Sequence, residues 1–104
     1  MILHLINKSP AKSSALEDCI AVLQAKKSTS AMMLIEDAVY LTVSQAGNEA
    51  LHEKIRTLAL PCYILKEDLT IRGLSLDLAD CFSLVDYAGF VQLSLDYDKV
   101  QNWS

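Results

Sequence analysis

The chain has 104 residues, with 13 acidic against nine basic side chains and a formal net charge of −4 at pH 7. That length fits one domain, residues 1–104, with its own core, and the acidic balance argues against nucleic-acid binding, which needs clustered cations. Hydrophobic residues reach 52 % and charged ones only 21 %, so so small a globule leaves apolar area exposed unless a partner covers it, and an oligomer or a subunit is expected.

The opening "MILHLI" is an apolar run that breaks at "NKSPAKSS", a polar, proline-containing loop, and the pair reads as a buried strand and a turn. No apolar run approaches the roughly 18 residues of a membrane span. The start also lacks the cationic lead and long apolar stretch of a signal peptide, so a cytoplasmic location is expected. Ser14 stands three residues before Glu17, the spacing of a capping box. The helix it opens carries Leu16, Ile20 and Leu23 on one face and closes near Lys26–Lys27, cations suited to a helix C-terminus. With Lys8 and Lys12, these cations read as a solvated face.

"AMMLI" is the second buried strand, stopped by Glu36–Asp37, and "AVYLTV" fits either a short helix or a strand. From Asn48 to Leu58 the stripe Leu51, Ile55 and Leu58 predicts a helix. "LPCYIL" is a third strand, with Pro61 at its tolerated first position, and "KEDLTIRGL" is a turn or short helix closed by Gly73. "CFSLV" is a fourth strand, "DYAGFVQLSLDY" a helix capped by Asp86, and "DKVQNWS" a short fifth strand or a docking segment. Continuous apolar strands alternating with helices predict an α/β fold, a three-layer α/β/α sandwich with a mainly parallel sheet.

Polar residues collect after each strand, in Asn7–Lys8–Ser9, Glu36–Asp37, Lys66–Glu67–Asp68 and Asp86–Tyr87. A parallel sheet brings these ends to one edge, where such folds place their sites. The chain's three glycines allow neither a phosphate-binding loop nor a dinucleotide fingerprint, and no serine sits in a nucleophile elbow. Cys19, Cys62 and Cys81 are odd in number and widely spaced, and His4 and His52 add no ligand spacing, so no disulfide framework, metal or cofactor is expected. Cys19 falls in the second turn of the first helix, beside Glu17 and Asp18, whose charges oppose a thiolate. Its neighbours Leu16 and Ile20 place it close to the buried stripe, and the local reading is a core plug. Cys62 reads as a core thiol, Cys81 as structural, and His4 as a satisfied strand histidine.

Five strings, "LHLINKSP", "LIEDAVY", "YILKEDLTIRGL", "LVDYAGFVQL" and "DKVQNW", stand in an order and spacing that resemble the TusB/DsrH family of sulfur-relay subunits along essentially the whole chain. The resemblance implies a DsrEFH-like fold and a heterohexamer with paralogous TusC/TusD-like, or DsrF/DsrE-like, subunits. It also implies a downstream sulfur-acceptor protein and persulfide transfer towards 2-thiolation of the tRNA wobble uridine. The same family includes a dissimilatory sulfur-oxidation branch, which is the alternative. In this family the main sulfur-carrying cysteine belongs to the TusD/DsrE paralogue, after the third strand and before an Arg–Gly pair. This chain keeps Arg72–Gly73 but has Lys66, Glu67 and Asp68 where the thiol is needed. Some DsrH-like members carry a first-helix cysteine, and "LEDCI" puts Cys19 there, making it the candidate secondary sulfur acceptor. Trp103 is the leading interface candidate among the aromatic residues. The alternative from a different class is a stand-alone oligomeric module that binds a small anion at the polar sheet edge.

Overall fold

The computed structural model describes residues 1–26 and 29–104. In chain order the elements are β1 (Ile2–Ile6), α1 (Ala15–Ala25), β2 (Ser30–Leu34), a 3₁₀ helix (Glu36–Thr42), α2 (Ala46–Leu58) and β3 (Cys62–Leu65). They continue with α3 (Lys66–Ile71), β4 (Ser83–Val85), α4 (Tyr87–Asp96) and β5 (Lys99–Trp103). The five strands pair in the order β4-β3-β2-β1-β5, every pair parallel. Parallel neighbours cannot be joined by tight hairpins, so the helices serve as crossovers.

Burial follows strand position. The apolar run of β2 takes the centre, with all five residues buried, whereas the more polar β4 and β5 form the two edges and are largely exposed. Successive side chains of a strand point to opposite faces. Met32 and Leu34 therefore join the larger core cluster with Ile6, Ile64, Leu16, Ile20, Leu51, Ile55 and Leu69. Ala31 and Met33 join the smaller one with Leu3 and Leu65, and the helical side chains packed on that side, Phe90 and Leu93, come from α4. The two faces of the sheet are thus unequally covered.

The element boundaries refine the expectations from sequence. α1 begins at Ala15, but the Ser14–Glu17 capping box does not form: Ser14 Oγ donates to Asp18 Oδ2 at 3.0 Å, while Ser13 Oγ accepts the Ala15 N–H at 3.1 Å. Lys26 ends α1 with its N–H on the Val22 carbonyl, and Lys27 lies outside the described residues. "AVYLTV" falls in the 3₁₀ helix, which buries Ala38, Val39 and Leu41. α2 starts at Ala46, two residues earlier than the stripe indicated. Asn48 sits inside it, its amide donating to the carbonyls of Tyr40 and Val43, both at 3.0 Å.

Asp86 caps α4 as expected, Oδ1 accepting from the Gly89 N–H at 2.8 Å. The tail resolves as strand β5, not as a docking segment. Trp103 packs against the larger cluster, and its indole N–H donates to His4 Nδ1 at 3.0 Å. His4 is buried, and desolvation lowers its pKa, which favours the neutral ring that accepts this bond. His4 is therefore a satisfied strand histidine. Trp103 anchors β5 through this bond and through its packing on the larger cluster.

Candidate functional site

β2, β3 and β4 are neighbours, so the segments that leave their C-terminal ends arrive side by side. Three of the four polar clusters are stitched together there. Glu36 turns the chain into the 3₁₀ helix with φ of 50°, a left-handed conformation that non-glycine residues seldom adopt. Its N–H is held by Asp68 Oδ2 at 2.6 Å. That bond offsets local backbone strain.

Arg72 ties the same two segments a second time. Its Nε and Nη2 donate to Asp37 Oδ1 at 3.2 and 3.0 Å, and Nη1 reaches the Asp68 carbonyl at 3.2 Å and Oδ1 at 3.4 Å. The guanidinium carbon lies 5.9 Å from the centroid of the Tyr40 ring, a cation–π distance. Burial pulls the Arg72 pKa down, but the Asp37 hydrogen bond and the Asp68 and Asp37 charges outweigh it and leave the net shift upward. Glu67 Oε2 accepts the Tyr87 N–H at 3.0 Å, joining α3 to the start of α4.

The fourth cluster stands apart. Ser9 closes the loop after β1, its hydroxyl accepting from the Ala11 N–H and its carbonyl from Lys12 and Ser13. Asn7 Oδ1 is buried without a hydrogen-bond partner among the described residues.

Gly73 ends α3. Its φ is +66°, its N–H bonds the Thr70 carbonyl at 3.1 Å, and the Leu74 N–H bonds the Leu69 carbonyl at 3.0 Å. This is the Schellman arrangement, in which a left-handed residue lets the chain reverse over the helix end. An added Cβ meets nothing within 4 Å, so Gly73→Ala tests backbone conformation alone. The expected loss is about 1 kcal/mol of stability, read by urea unfolding. An unchanged midpoint would mean that the turn does not need glycine.

The three thiols lie elsewhere. Cys19 is 0 % exposed in the larger core cluster, and burial pushes its pKa up to about 12. Cys62 opens β3, at the opposite edge of the sheet from the polar network, and burial, then the nearby Cys81 and Cys19, raise it as well. Cys81 precedes β4, half-buried, and desolvation again raises it, while Arg56 pulls the other way. The polar edge therefore brings together Glu36, Asp37, Glu67, Asp68, Arg72 and Asp86 and contains no cysteine. Sequence reasoning missed Arg72 as the cation that organises this edge, and also His52. His52 is buried with Nε2 at 2.6 Å from the Leu41 carbonyl, and it lines a pocket of about 430 Å³ with Glu49, Glu53 and Arg56. Its place next to the buried stripe was the available signal.

Residues 8–100 match the family of DsrH-like proteins. The chain belongs to the DsrH-like family. It is 37 % identical over 86 residues to Protein TusB of Salmonella dublin and, equally, of Salmonella enteritidis PT4, covering 83 % of this chain and 87 % of each relative. The crystal structure of the ychN protein from E. coli superposes with a TM-score of 0.79 over 97 % of both chains at 21 % identity, which shows the shared fold. The DsrH-like chain is therefore an α/β protein of the sulfur-relay family that its sequence resembles, built on a DsrEFH-like sheet. Among the described residues no helix is long and apolar enough to cross a membrane.

Proposed function

We propose that this DsrH-like chain is the structural, non-carrying subunit of a cytoplasmic sulfur-relay complex that passes persulfide sulfur towards 2-thiolation of the tRNA wobble uridine. One observation carries the reading. The segment after β3, where the resemblance puts the carrier thiol of a paralogue, holds Lys66, Glu67 and Asp68, and all three cysteines of the chain lie away from that edge. A persulfide is an exchangeable sulfur that reductants remove, so transfer between subunits within an assembly protects it, and an apolar single-domain subunit supplies walls for that transfer. The complex takes TusC/TusD-like paralogues as partners, as a heterohexamer, and a downstream acceptor protein. The TusB relatives favour the tRNA branch over the dissimilatory one.

Cys19 serves this reading as packing, because sulfur uptake requires a thiolate at the donor's sulfane sulfur and its burial opposes both charge and access. Binding of a small anion at the polar edge is disfavoured because Arg72, the cation most enclosed there, is committed to two carboxylates. The test is affinity purification of the tagged chain from its native cell, with tRNA nucleosides measured in a deletion strain. Recovery of two small paralogues and loss of 2-thiouridine are expected. Intact thiolation in the deletion strain, with no paralogue recovered, overturns the proposal.

A further inference from the structure

α4 has two faces. Phe90 and Leu93 turn inward onto the sheet, whereas Tyr87, Val91 and Leu95, spaced i, i+4 and i+8, stand 62 %, 43 % and 74 % exposed on the outside. No α4 residue is buried, and none from Tyr87 to Leu95 is charged. Ile71, 77 % exposed, extends this apolar surface at the Tyr87 end, where it lines a groove of about 430 Å³ with Lys66, Glu67, Thr70 and Asp86. Apolar side chains aligned this way on so small a domain mark a contact surface.

The charges at its ends identify what covers it. Asp86 and Glu67 stand at the Tyr87 end and Asp96 at the Leu95 end, with Lys66 the cation lining the groove. If two copies met through this stripe, net negative ends would face net negative ends in either helix direction, on chains that each carry −4. Lys66 offsets only one of the two carboxylates at the Tyr87 end, and the helix itself has no cation near Leu95. Like charges juxtaposed across an interface exclude a partner. We infer that the outer face of α4 is a hetero-interface for a partner subunit that presents an apolar patch with lysine or arginine at both ends. The inference rests on the functional reading above and goes beyond it by assigning the surface.

The experiment uses the full-length tagged chain, expressed in its native cell, as wild type, as a Val91→Glu/Leu95→Glu double variant and as Asp96→Lys. All three positions are exposed, so circular dichroism should confirm an unchanged fold. The double variant is expected to lose on the order of a hundredfold in affinity for the co-purifying paralogues. Asp96→Lys should lose roughly tenfold and show a weaker salt dependence. If wild type recovers the paralogues and the double variant recovers them equally, the interface is wrong and the functional reading stands. If wild type recovers none, the interface assignment falls, and intact 2-thiouridine in the deletion strain then removes the functional reading as well. A homodimer of the isolated chain that the double variant abolishes would make a second copy the occupant and overturn the assignment.

Discussion

Native-state alkylation near neutral pH should label Cys81 first and leave Cys19 at least about a hundredfold slower than a free thiol. The reacting species is the thiolate, and burial moves Cys19 from the ordinary value near 9 up to about 12. That shift removes roughly three orders of magnitude of thiolate. The greater nucleophilicity of a more basic sulfur restores only part of the loss. Access adds a further barrier, since Cys19 is 0 % exposed whereas Cys81 is half-buried. Peptide mass spectrometry after timed labelling reads the order directly. Labelling of Cys19 as fast as Cys81 in the folded chain would show that α1 opens readily, and a sulfur-accepting role for Cys19 would regain support.

The same shift sets an alkaline limit on stability. A thiol whose folded pKa lies above its unfolded value contributes fully below about pH 9, and its contribution is lost as pH rises towards about 12. Each pH unit in that window costs about 1.4 kcal/mol per thiol, so Cys19 alone removes about 1.4 kcal/mol by about pH 10 and about 3 kcal/mol by about pH 11. Cys62 is shifted in the same direction. Urea unfolding at neutral and alkaline pH should show the fall, and Cys19→Ala should make it shallower.

Arg72→Ala should cost about 1–2 kcal/mol and loosen the sheet edge around Glu36. The guanidinium serves two carboxylates at once and the Asp68 carbonyl besides, from a side chain only 19 % exposed. The cost is modest because Asp37 is 56 % exposed and water screens that half of the network. Truncation leaves Asp37 and Asp68 facing the same space without a cation. Arg72→Lys should recover less than half of the loss, because one ammonium cannot reproduce the planar fork. Denaturant unfolding measures the cost, and faster amide exchange at Glu36 reports the local loosening, since that N–H depends on Asp68. Wild-type stability and wild-type exchange in Arg72→Ala would show that the network is incidental.

Particular residues show why some features were legible and others were not. The strand assignments followed from uninterrupted apolar runs, and β2 carries the clearest one. The Gly73 turn and the Asp86 cap were readable because each depends on neighbours a few residues away. The Ser14–Glu17 spacing was equally suggestive and did not form a box: Ser13 took the Ala15 N–H and Asp18 took the Ser14 hydroxyl. Capping residues compete locally, and spacing alone does not choose between them. The place of Trp103 near the terminus offers no sign of its fixed neighbour. Its partner is His4, 99 positions away, and no local pattern reveals that bond. The apolar repeat in α4 was visible as Tyr87, Val91 and Leu95, but a second repeat, Phe90 and Leu93, runs through the same helix. Only packing shows which of the two faces inward.

The sequence by itself determined the α/β alternation, the parallel sheet, the missing thiol after β3 and membership of the DsrH-like family, because each is written in local composition or in contiguous motifs. Tertiary structure decided the rest. The order β4-β3-β2-β1-β5 brings Asp37, Asp68 and Arg72 together across gaps of four to 35 residues. It encloses Cys19 in the core and sets α4 over the smaller core cluster on one face of the sheet. Burial and ion pairing depend on which distant segments become neighbours, and the sheet order sets those neighbours.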